Sequence, residues 1–252
     1  MNNLELKEKY DEVFKEGPQN FFTCNVFHEA WTIAGMNDWQ GLKVMDVGCG
    51  EGILPTMIAH AGASKVVGVD YSEEAIRNAN SKFDIPNVEF IIKDYKDIDD
   101  KFDVITMQGV MEHLDDPWKE LENMMENYLY QGGCLITSSP SFLNPRGYVW
   151  MTLAKLFDVP MSLTDLHFIC PFDMEDFCDE KGYDLDYESI HQDWGSGITM
   201  IRDFDKRLRN ALQDADMDNS KVDNLLDWLE KAIPYFETNE DSGAIVIYKI
   251  SK

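Results

Sequence analysis

The chain has 252 residues, with 47 acidic side chains against 22 Lys and Arg and a formal net charge of -25. A surface this acidic repels phosphate backbones, which argues against DNA or RNA as partners unless a local basic patch exists. The nearest one (Arg202, Lys206, Arg207, Arg209) is interleaved with Asp203 and Asp205 and reads as a solvated helix face.

No apolar run approaches the roughly 20 residues of a membrane span. Five scattered cysteines without a C-x-x-C pair give neither a disulfide framework nor a zinc signature. The N-terminus carries no basic segment followed by an apolar one, so a cytoplasmic chain is expected, folded as one α/β domain, bare or capped. Within residues 1–40, Tyr10, Val13 and Phe14 share a helical face, Gly17-Pro18 breaks it, and a second helix is predicted over 24–34.

The apolar run Val44, Met45, Val47 then ends in glycines at alternate positions, Gly48, Gly50 and Gly52. That pattern predicts a buried parallel strand turning sharply into a helix over 53–62, with Pro55 in its first turn and Gly62 at its C-terminal cap. A strand–glycine turn–helix unit is a nucleotide cradle, because glycine lets a ligand approach the main chain closely. No Lys follows the last glycine, and Asp46 and Glu51 flank the turn, so a ligand with a cationic end fits better than a pyrophosphate.

A second strand over 65–70 ends in Asp70, placed about 20 residues after the glycine turn, where a carboxylate can accept both hydroxyls of a ribose diol. Ser72 is set to cap the next helix, with Glu73 and Glu74 at its positive end. A third strand over 88–93 leads to Asp94-Tyr95, and a fourth over 102–107 leads to Gln108-Gly109-Val110-Met111-Glu112-His113-Leu114. The following helix starts at Asp115 or Asp116 with Pro117 in its first turn. Leu121, Met124, Met125, Tyr128 and Leu129 form its buried stripe, and Gly132-Gly133 are expected to end it. A fifth strand over 134–139 closes at Pro140. Alternating strands and helices of this kind predict a parallel sheet with helices on both faces.

Residues 141–166 are too long for an ordinary connection and rich in aromatics, so they read as a lid or substrate wall. A helix over 173–181 and a strand over 183–191 follow. A second insertion over 193–236 is predicted to hold helices at 198–212 and 221–233, before a final strand over 243–250.

The Asp46-x-Gly48-x-Gly50-x-Gly52 turn resembles motif I of the class I S-adenosylmethionine (SAM)-dependent methyltransferases. The strand beginning Phe102-Asp103 and the turn Glu112-His113-Leu114 resemble the small-molecule branch related to ubiquinone-biosynthesis methyltransferases, as does the stretch 166–172. The likeness spans about 43–190 plus the last strand. It implies a Rossmann-like, seven-stranded, mostly parallel sheet with an antiparallel last strand. It also implies a single methyltransferase domain over 1–252, with a helical cover at 1–40 and cap insertions at 141–170 and 193–236.

The implied cofactor is SAM, held by Asp46, Gly48, Cys49, Gly50, Asp70, Tyr71, Asp94, Tyr95 and Gln108. Asp94 would bond the adenine amino group with Tyr95 against the ring, and Tyr10 or Phe22 would lie near the methionine end. The implied reaction methylates a small-molecule acceptor, at a hydroxyl oxygen, with a ring compound or a sugar both suiting the cap. His113 and His167 are the candidate bases, His191 a third, and Glu112 orders His113 or a backbone amide. No metal-ligand spacing is present, and the oligomeric state, monomer or homodimer, stays open. An RNA or protein methyltransferase would share the cofactor site, but Asn144-Pro145-Arg146 follows the wrong strand for an N-P-P-[FY] stretch. A nicotinamide-dependent oxidoreductase should show G-x-G-x-x-G, which is absent.

Overall fold

The computed structural model describes residue 15 and residues 26–159 and 165–252. The expected helix around Tyr10 and the proposed aromatic covers Tyr10 and Phe22 lie outside the described residues.

A seven-stranded sheet runs in the order β3-β2-β1-β4-β5-β7-β6. Its strands are β1 (Lys43–Val47), β2 (Lys65–Asp70), β3 (Val88–Ile92), β4 (Phe102–Gln108), β5 (Leu129–Pro140), β6 (Asp184–Ile190) and β7 (Ile245–Ser251). β7 alone is antiparallel to its neighbours β5 and β6, as the resemblance implied. The order reverses between β1 and β4, and in open α/β sheets ligands bind beyond the carboxyl ends of the strands at such a switch point.

Helices α1 (Val26–Gly35) and α2 (Ile53–His60) cover one face, where Ala30, Ile33, Leu54 and Ile58 pack on Val44, Val66 and Ile136. Helices α3 (Glu73–Lys82), α4 (Pro117–Asn123), α5 (Pro145–Phe157) and α6 (Pro171–Lys181) follow in the chain. Leu121 of α4 and Met174 and Phe177 of α6 seal the opposite face against Met45, Ile105 and Tyr248. Ser72 caps α3 by accepting a hydrogen bond from Ala75 N at 3.2 Å, and Asp116 caps α4 by accepting from Lys119 N at 3.2 Å.

The cap has its own apolar cluster. Short α7 (Gln192–Ser196) leads into α8 (Ile198–Asp214) and α9 (Val222–Ala232), and Phe142 and Trp150 pack there with Phe204, Leu208, Leu226 and Leu229.

One element differs from its sequence expectation. The helix from Pro117 does not run to Gly132-Gly133: it ends at Asn123, passes through one π-helical turn, Met124–Tyr128, and β5 begins at Leu129. Leu129 pairs with Phe102, whereas Cys134 pairs with Val104, so four residues of β5 stand opposite one of β4 and three extra residues bulge from β5. Gly132 takes a φ of 82° there, and a side chain on Gly133 would meet the Asp103 carbonyl at 2.7 Å. Long-range pairing with β4 outcompetes the local helical stripe.

Candidate active site

The glycine turn after β1 is the floor of the site. Gly48, Gly50 and Gly52 have φ of 71°, 50° and 82°, a region open to glycine but strained for other residues. The Gly48 and Cys49 amides donate to the Val69 carbonyl at 2.8 and 3.1 Å, stitching the turn to β2. A Cβ on Gly48 would come 2.5 Å from Val110 Cγ2, so the turn and the segment after β4 enclose the space between them closely.

Asp70 ends β2 beside this turn. Its Oδ2 accepts from Gly50 N at 2.9 Å and its Oδ1 from Ser72 N at 2.8 Å, which aims the carboxylate at the turn. Tyr71 next to it is partly exposed. Asp46 lies deeper, 1 % exposed, and burial with the nearby Asp70 charge pushes its carboxyl up to about 7. The same burial, with both aspartates nearby, raises the Cys49 thiol well above its ordinary range, so Cys49 is an uncharged filler of the turn.

The structure separates the adenine-end pair. Asp94 is exposed and caps a 3₁₀ turn by accepting from Lys96 N at 3.0 Å. The Tyr95 ring lies in the core, edge-on to Tyr128 with centroids 5.4 Å apart. Its hydroxyl donates to Glu120, and Asn123 donates to that hydroxyl at 3.1 Å. Burial and Glu120 hold the phenol far above its usual range. In this position Tyr95 supports α4.

Beyond the tips of β4 and β5 lies a group of acids, of which the sequence reading named Glu112 and overlooked Glu29 and Asp165. Glu29 of α1 is 4 % exposed and hydrogen-bonds with Ser138 and Gln108, and burial raises its carboxyl above the ordinary range. Glu112 is 5 % exposed and raised well above its normal value by burial, then by Asp165 and Glu29; its Oε2 has no hydrogen-bond partner among the described residues. A sequence signal for Glu29 existed, since it shares a helical face with buried Ile33. Asp165 had none, because its partner is distant in sequence.

His113 sits between these acids. Its Nδ1 is 3.6 Å from Asp165 Oδ1, and its Nε2 is 4.0 Å from Glu112 Oε1. The amides of Leu166 and His167 donate to the Glu112 carbonyl at 2.7 and 3.2 Å, so His167 meets the same turn. The His167 Nε2 is buried without a partner among the described residues. His191 stands apart at the end of β6, with φ of 64°, edge-on to His28 at 4.9 Å. Burial and His28 lower its affinity for a proton.

The glycine turn, the Asp70 carboxylate and the acids at the strand tips fit a ligand that carries a diol and positive charge. SAM, with its ribose, sulfonium and ammonium, is such a ligand.

A family model described as "Methyltransferase domain" matches residues 39–194, more than half of the chain. The ubiquinone biosynthesis O-methyltransferase of Neisseria meningitidis serogroup C is 31 % identical over 164 residues, which cover 61 % of this chain and 68 % of the relative. Among solved structures, a Haloferax volcanii methyltransferase in complex with the Trm112 methyltransferase activator matches with a TM-score of 0.62 at 16 % identity, over 96 % of both chains. The Haemonchus contortus phosphoethanolamine N-methyltransferase 2 bound to SAM matches with a TM-score of 0.56 at 15 % identity, over 89 % of this chain and 52 % of that one. At these identities the two structures speak for the fold alone. The match to more than half of the chain, on a sheet of this order and a cradle of this shape, places the protein among the class I SAM-dependent methyltransferases, in the branch related to the ubiquinone-biosynthesis enzymes.

Proposed function

We propose that the protein methylates a hydroxyl oxygen of a small-molecule acceptor, with His113 taking the proton. The observation that carries this reading is the placement of His113 between Asp165 and Glu112, directly after β4. Bound SAM supplies an electrophilic methyl group on its sulfonium. The chain has to orient the acceptor oxygen, keep water out and receive a proton.

Asp165 faces Nδ1 of His113, which favours the tautomer with its proton on that nitrogen and stabilises the imidazolium formed when Nε2 takes a proton. Burial, with Asp165 and Glu29 nearby, shifts Glu112 toward its neutral form and so weakens its competition as an anion for the imidazole. On this reading Gly48, Cys49, Gly50, Asp70, Tyr71, Asp94 and Gln108 surround the cofactor. Asp46 and Tyr95 act from the core beneath it. The name of the Neisseria relative, an O-methyltransferase, supports oxygen over nitrogen as the acceptor atom. The net charge of -25 supports a small molecule over a nucleic acid.

The test is transfer of a labelled methyl group from SAM to a panel of phenols, catechols, sugars and matched amines, with mass-spectrometric identification of products. Methyl ethers formed by the wild type, and lost in His113→Ala with SAM binding intact, are expected. Exclusive N-methylation, or full activity in His113→Ala, would overturn the reading.

A further inference from the structure

A second set of polar groups lies where the cap meets the sheet, and the reaction above does not use it. Arg146, in the first turn of α5, is 1 % exposed. Its Nε donates to Asp203 Oδ2 at 2.9 Å, and its guanidinium carbon stands 4.5 Å from the centroid of the Trp194 ring. Its Nη1 is buried and has no acceptor among the described residues. The indole N–H groups of Trp150, one turn further along α5, and of Trp194 in α7 are buried and bare in the same way. His191, whose ring lies 6.4 Å from Trp194, also has a bare Nε2.

Buried N–H groups are almost always paired, so bare donors on Arg146, on the Trp194 ring it stands over, and on Trp150 one turn along the same helix call for absent acceptors. The Arg146–Asp203 pair does not explain them, because Asp203 receives only Nε of a group with five N–H donors. Arg207 stands 3.6 Å from Asp203 Oδ1, which is itself buried without a hydrogen-bond partner among the described residues, so the two arginines balance Asp203 and Asp165 and the bare N–H donors carry the argument. Asp165 also acts electrostatically on Arg146, and it is the residue that faces His113 at 3.6 Å. The donor set therefore lies within electrostatic reach of the acid that faces the proposed base.

The scaffold holds these donors in place. Asn144 caps α5 by accepting from Gly147 N at 2.8 Å, while its amide donates to the carbonyls of Ser141 and Gly243 at 3.2 and 2.9 Å. A Cβ on Gly147 would overlap the Phe142 carbonyl at 2.1 Å, and one on Gly195 would meet the Ser242 carbonyl at 2.6 Å. The segments bearing Arg146 and Trp194 are pressed onto the sheet end too closely for any side chain but hydrogen.

We propose that Arg146, Trp150 and Trp194 form a subsite for an oxyanion, a carboxylate or phosphate group carried by the methyl acceptor. A guanidinium with indole N–H donors matches the several lone pairs of such a group. The proposal rests on reading the neighbouring cleft as the acceptor site, and its test separates the two ideas.

The chain has six tryptophans, so ¹⁵N-labelled protein gives six indole N–H signals, and Trp150→Phe and Trp194→Phe assign two of them while keeping the packing. The probes are benzoate, neutral benzamide and inorganic phosphate, each titrated with the demethylated cofactor present. Benzoate is expected to shift both assigned signals and benzamide to leave them in place. Each Phe variant should weaken benzoate about 5- to 10-fold, and Arg146→Lys at least as much, with SAM affinity unchanged.

A response to inorganic phosphate without benzoate would support the subsite and assign it to a phosphate-bearing acceptor. Silence toward both anions would overturn the subsite itself, leaving buried water as the missing acceptor. Loss of SAM binding in the wild type would instead strike the methyltransferase reading, independently of either result.

Discussion

The hydroxyl of Thr106 donates a 2.5 Å hydrogen bond to Asp46 Oδ1, joining β1 to its register partner on β4 directly beneath the glycine turn. Burial outweighs this bond and the carboxyl titrates at about 7, against 3.8 for the free side chain. Because the folded value is the higher one, the protonated acid contributes stability below about pH 4, and that contribution is lost as pH rises to about 7.

Asp46→Asn keeps an acceptor for Thr106 and removes the charge. Its apo melting temperature should exceed the wild type's at pH 8, by an amount equivalent to a few kcal/mol, and the advantage should vanish near pH 4. Melting curves across that range are the check. A difference independent of pH would refute the buried-charge account.

Asp70 fastens the turn through the Gly50 and Ser72 amides. Asp70→Ala removes those bonds and the proposed partner of the ribose diol. Bonds to a charged group contribute roughly 1.5–3 kcal/mol each, so calorimetric titration should show SAM affinity reduced at least 10-fold. An unchanged affinity would remove Asp70 from the cofactor site.

Gly48→Ala places a methyl group 2.5 Å from Val110 Cγ2 at a φ of 71°. Expected are a cost on the order of 1–3 kcal/mol and weakened SAM binding. Val110→Ala in the same chain relieves the contact but not the backbone strain, so it should restore only part of both. Full restoration would show that the contact alone mattered.

His113→Ala should lower kcat by about 10²- to 10⁴-fold, the usual contribution of a positioned base, while the KM for SAM stays near wild type. Asp165→Asn should cost less, because it disturbs the orientation of the imidazole and leaves the base in place. His167→Ala serves as the contrast. A larger loss there than in His113→Ala would reassign the base.

Much of this protein was legible before its structure. The alternation of apolar runs and glycine turns determined the parallel strands, because strand burial and sharp strand–helix turns are local demands that only certain residues meet. Asp70 was legible for the same reason, as an acid at a strand tip at a readable spacing. The end of α4 was not, because Leu129 and Cys134 answer to β4 across a bulge.

Glu29, Asp165 and Arg146 acquire meaning only through partners far away in sequence: Gln108 and Ser138, His113, and Asp203 with Trp194. Tyr95 shows the converse, a residue in the expected place whose ring the core claims. Local patterning fixes which backbone can form a cradle. Which charges are buried together, and so what the cradle and its cap can hold, is decided when distant elements exclude water between them.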